Sequence, residues 1–143
     1  AISSEAFTKN HKCVDYKILK KHWSNKDLLL AIPFYDSFIF NNLMKFSSCT
    51  PNFSFCEPTF FIEDNGLPFD NFISKKVKEY TSKKKIKTEL TKSIYYKNRS
   101  DSAALQTYKC ITGRTFGNKT LSKPNLDHFG SSEFCFQSWK ESK

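Results

Sequence analysis

His11, His22 and His128, together with Glu57, Glu63, Glu79, Glu89, Glu133 and Glu141, are the side chains to weigh as acids and bases in this chain. Arg99 and Arg114 are its only arginines and could grip phosphate through paired hydrogen bonds, while lysines act as point charges. Cleavage of RNA through its 2′-hydroxyl needs a base on that hydroxyl, an acid on the leaving oxygen and a cation beside the phosphate. His22 stands beside Trp23, ahead of an apolar segment, which suits packing. His11 lies in a polar N-terminal stretch. His128, in "NLDHFG", sits in a late polar loop beside Asp127 and is the best histidine candidate. No Ser/His/Asp order, glycine-rich phosphate loop or zinc-deaminase motif accompanies them. So few acid–base pairs point to binding rather than catalysis.

Binding has more material. The formal charge of +9 favours polyanions, by long-range attraction and release of counterions. Eight lysines crowd the stretch from Phe72 to Lys92. Lys83, Lys84, Lys85 and Lys87, with Arg99 and Arg114, are the candidate phosphate contacts. A solvated face, or a sheet edge guarded by lysine, is the structural reading of the same run. The five cysteines, Cys13, Cys49, Cys56, Cys110 and Cys135, show no zinc-ligand spacing, so neither metal nor cofactor is implied. They read as two disulfides and one odd thiol.

The elements that must position these groups are read from pattern. Ser24 and Asp27 resemble a helix start, which predicts a helix over about 25–32, ended by Pro33. Phe34, Phe38 and Phe40 predict a strand. Asp64-Asn65-Gly66 after "TFFIE" predicts a hairpin. A short helix and then a strand are expected between Phe72 and Lys92, and further strands at "SIYY", at Leu105–Thr112 and at "EFCFQSW". Fifteen phenylalanines predict an aromatic-rich core.

One domain spanning 1–143, loose over residues 1–10, fits the length. A start at "AISSEAF" without methionine reads as a mature chain whose signal peptide has been removed. Three sequons, at Asn52, Asn98 and Asn118, agree with secretion. No apolar run reaches the ~20 residues of a membrane span.

In "ALQTYKCITGRTFGN" a strand ending in Ile111-Thr112 meets a Gly/Thr/Asn-rich turn, with a cysteine following near the C-terminus. "HKC", His11 to Cys13, precedes "DLLLA" near the start. This order resembles the small guanine-specific fungal ribonucleases and the ribonuclease-like secreted effectors of powdery mildew fungi. The resemblance implies an α+β fold, one main helix packed on a twisted antiparallel sheet, stabilised by disulfides. It implies a Cys13–Cys135 bridge, whereupon Cys49–Cys56 forms a local clip and Cys110 is left as a free thiol. It also implies loss of catalysis, because Gly113 stands where active members carry a histidine. Arg114 follows it, and an arginine cannot serve as acid or base. The expected function is a non-catalytic virulence effector that binds host RNA, a host protein such as an immune receptor, or both. Such an effector is secreted and can act inside host cells. An active ribonuclease using His128 with a glutamate, and an unrelated basic secreted protein that binds a cell-surface partner or glycan, are the alternatives.

Overall fold

A computed structural model describes residues 16–113 and 130–143. In chain order it contains α1 (Tyr16–Lys21), β1 (Ala31–Ile32), α2 (Phe38–Met44), β2 (Thr59–Ile62), α3 (Asp70–Lys84), β3 (Lys87–Leu90), a 3₁₀ turn (Arg99–Asp101), α4 (Ser102–Gly113) and α5 (Phe136–Glu141). The three strands lie in the order β1-β2-β3, and both pairings are parallel.

The parallel sheet follows from its connections. Parallel strands need a long crossover, and α2 and α3 supply one each. Ser37 opens α2, its Oγ accepting the Phe40 N–H at 3.1 Å. Asp70 opens α3 by gathering the turn before it. One of its carboxylate oxygens accepts the N–H groups of Asn65 and Leu67, at 2.9 and 3.1 Å. The Asp64-Asn65-Gly66 turn, with Gly66 at φ 70°, therefore enters a helix. Lys85 closes α3 in the left-handed region (φ 55°, ψ 39°), donating to the Ser82 and Thr81 carbonyls.

α3 presents Ile73, Val77 and Thr81 inward at i, i+4 and i+8. They meet Phe60 and Ile62 of β2, the buried half of an alternating strand. Around them the core is aromatic, as expected: Phe34, Tyr35, Phe60 and Phe134 are buried, and Phe38, Phe53 and Tyr80 pack against them edge-on or tilted. α1 docks on the loop before β2, where Tyr16 and then Trp23 meet the Phe55 ring. Near the C-terminus, Tyr96 and Cys135 form a parallel bridge, and backbone bonds from Tyr95 to Phe134 and from Phe136 to Tyr96 (2.9 Å each) bind the two segments together.

Several expectations are corrected here. Among the described residues the sheet is parallel and not antiparallel, and five helices stand where one was expected, so the ribonuclease-like scaffold is not supported. The expected hairpin is the helix entry held by Asp70. Residues 25–32 are not helical; α1 precedes them and β1 ends them. The expected strand at Phe34–Phe40 gives way to α2, nucleated by the Ser37 cap. Leu105–Thr112 lies within α4, where Ala103, Ala104, Leu105 and Gln106 favour helix and the Asn98–Asp101 capping box starts it. "EFCFQSW" makes one bridge and then turns into α5, capped by the Cys135 sulfur on the Ser138 N–H. The disulfide framework is also corrected: Cys49, Cys56 and Cys135 carry free thiols, Cys49 exposed and Cys56 buried. Cys13 lies outside the described residues. The helix and strand expected between Phe72 and Lys92 are α3 and β3. Among the described residues, no helix is long and apolar enough to cross a membrane.

Candidate polyanion interface

The outward side of α3 collects donors. Asn71, Ser74, Lys75, Lys78 and Ser82 recur at three- and four-residue steps and line one shallow groove together with Glu79 and Lys83. Lys75, Lys78, Lys83 and Lys85 are exposed and form no ion pair among the described residues. Lys76 pairs with Glu79 at 2.9 Å, and Lys87 pairs with Glu89. The hydrogen bond from Lys76, with Lys76, Lys75 and Lys83 charges close by, holds the Glu79 carboxyl below its ordinary range.

The six candidate phosphate contacts fall in different places. Lys83 and Lys84 occupy the last turn of α3, where lysines complement the negative end of the helix dipole. The Lys84 ammonium lies 5.0 Å over the Tyr80 ring. Lys84, Lys85 and Lys87 face the loop Asn52–Pro58 across a second hollow of about 390 Å³, which also takes in Cys56 and Glu57. Burial raises the Cys56 thiol pKa. Arg114 lies outside the described residues. Lys75 and Lys78, mid-helix and away from the dipole's negative end, were not among the candidates. Their helical spacing from Asn71 and Ser82 is the signal that finds them.

Arg99 is engaged elsewhere. Its Nε and Nη2 donate to Glu133 at 2.7 and 2.9 Å, and its Nη1 and Nη2 to Glu141 at 3.1 and 2.7 Å. The two carboxylates raise the guanidinium pKa further above its already high value. The Arg99 hydrogen bonds, helped by one from Ser138 Oγ, hold Glu133 down at about 2. This clamp ties the start of α4 to α5 and leaves little of the guanidinium to grip a phosphate.

The acid–base candidates are likewise spoken for or apart. Glu63 is buried at the end of β2 and accepts from Ser93 N and Oγ (2.8 Å each) and from Asn65 Nδ2 (2.9 Å). Asp70, beyond its two backbone bonds, accepts from Tyr35 OH at 2.9 Å. Burial pushes the Tyr35 hydroxyl pKa well above its ordinary value. This buried network fastens the ends of β2 and β3 to α3 and faces no open groove of lysines. His22, Glu57 and Glu89 are exposed and stand apart from it. His11 and His128 lie outside the described residues. Among the described residues, no three of His, Cys, Asp and Glu gather as a metal site.

Comparison with family models, with curated proteins and with solved structures found no match for this chain.

Proposed function

We propose that this protein is a non-catalytic binding domain that holds RNA by its phosphate backbone on the outward face of α3. The observation that carries the reading is the set of ammonium groups of Lys75, Lys78, Lys83 and Lys85, which lack carboxylate partners among the described residues and lie along one helix and its cap. Charges so arranged gain a polyanion by releasing its counterions, and the gain shrinks as salt rises. With three or four phosphates neutralised, affinity for RNA, single-stranded or duplex, should fall about 20–150-fold between 50 and 200 mM salt. Fluorescence anisotropy on labelled RNA reads this directly. Absence of binding to both single-stranded and duplex RNA at the lower salt removes the proposal.

A protein partner is the second reading, and a separate surface supports it. The face of the sheet away from α2 and α3 carries Ala31 and Phe61 beside Trp23, Leu28 and Leu29, and with Glu57, Lys87 and Glu89 these line a groove of about 530 Å³. Parallel sheets are usually covered on both faces, and Leu29 is 95% exposed here. Substituting Leu29→Ser tests this reading: loss of a co-purifying partner with RNA binding intact supports it, and retention of that partner opposes it.

A further inference from the structure

Resting on the RNA reading, we infer that the RNA this face takes is double-helical and is recognised by its backbone, not by its bases. Three observations on α3 carry this.

The first is the shape of the donor row. From Asn71 to Ser82 it runs along a single helix for about 16 Å, at about 1.5 Å per residue. A straight, rigid row of this length matches the regular phosphates and 2′-hydroxyls that an A-form duplex displays across its wide, shallow minor groove. A single strand offers no such fixed spacing.

The second is that the described residues place no stacking surface in the groove. Single-strand binders lay successive bases on aromatic rings within a basic groove. Among the described residues, no aromatic side chain lines the groove of Asn71, Ser74, Lys75, Lys78, Glu79, Ser82 and Lys83. Phe72 is exposed but is not part of the groove's lining. Tyr80 lies on the opposite side of the helix, packed on Phe38 and Phe60 beneath the Lys84 ammonium.

The third is the donor chemistry. The groove's ammonium, hydroxyl and amide groups are ones that contact phosphate and ribose, and the Glu79 carboxylate among them is held by Lys76 at 2.9 Å. Arg99, whose residue type makes the commonest specific contacts to guanine, is held away by Glu133 and Glu141, and no arginine lines the groove among the described residues.

The test compares an RNA duplex of about 20 base pairs with oligo(U) of about 20 nucleotides, on the full chain at one salt concentration. The duplex should bind at least about ten-fold tighter, the margin that a missing stacking surface costs a single strand. Its affinity should barely change with duplex sequence, and Phe72→Ala should leave it unaltered. Equal or tighter binding of oligo(U), or a loss of oligo(U) binding in F72A, overturns the duplex inference while leaving the RNA reading intact. Failure of both probes to bind overturns the RNA reading and the inference with it.

Discussion

Replacing Arg99 with methionine separates a structural arginine from a phosphate-binding one. Holding Glu133 at about 2 instead of 4.5 corresponds, at 1.36 kcal/mol per pH unit, to about 3 kcal/mol as a ceiling. The Arg99 and Glu133 side chains stay 36% and 31% exposed, so solvent screens the pair. Ser138 also keeps part of the effect in the variant. About 1–2 kcal/mol is therefore the expected loss on R99M at pH 7. The sign with pH follows from the depressed carboxyl. Its stabilisation is complete above about pH 4.5 and drains away as pH falls towards 2. Urea melts of both proteins at pH 7 and pH 3 measure it: wild type should lose more stability over that interval than R99M. RNA affinity should change little, because Arg99 already serves two carboxylates. Equal urea midpoints at pH 7, or parallel pH slopes, would refute the clamp. A steep fall in RNA affinity with unaltered stability would make Arg99 a phosphate contact after all.

Other substitutions probe the scaffold beneath the interface. Asp70→Ala strands the buried N–H groups of Asn65 and Leu67 and the Tyr35 hydroxyl, and should cost about 2–4 kcal/mol in urea unfolding. A cost below about 1 kcal/mol would contradict this helix entry. Ser37→Ala removes the α2 cap and should cost about 1 kcal/mol, read as a lower thermal midpoint. Thiol labelling followed by peptide mapping should find Cys49 modified quickly in the native protein, with Cys56 and Cys135 modified only on unfolding. A Cys49–Cys56 linked peptide in the unreduced protein would restore the disulfide expectation.

Local pattern was legible where one element decided its own fate. Ile73, Val77 and the lysines between them spell an amphipathic helix, and "KTEL" spells an exposed edge strand, as α3 and β3 show. The phenylalanine-rich core followed from composition. Contacts across the chain were not legible. "DNG" after a strand reads as a hairpin until Asp70, several residues on, is seen to hold the backbone of Asn65 and Leu67. The antiparallel sheet and the ribonuclease-like scaffold were implied by the resemblance at the two ends of the chain, and the parallel strand order overturns them. "TYKCIT" has strand-like residues, yet the alanines and cap before it carry the helix through. The interface was half legible: the triplet Lys83–Lys85 stood out by density, while Lys75 and Lys78 matter through their periodicity with Asn71 and Ser82. Nothing local in "NRSD" showed that Glu133 and Glu141, 34 and 42 residues later, would take Arg99.

The location of the interface on α3 is tested most directly by two charge-matched double variants. Lys75→Gln with Lys78→Gln removes two charges from the proposed face, and Lys20→Gln with Lys21→Gln removes two exposed charges from α1. Both lower the formal charge from +9 to +7. RNA binding is then followed by anisotropy across a salt series. The α3 double should flatten the slope of log affinity against log salt by about 1.4–1.8, while the α1 double leaves it close to wild type. Equal flattening by both would mean that net charge alone attracts the RNA, and the α3 interface would be wrong.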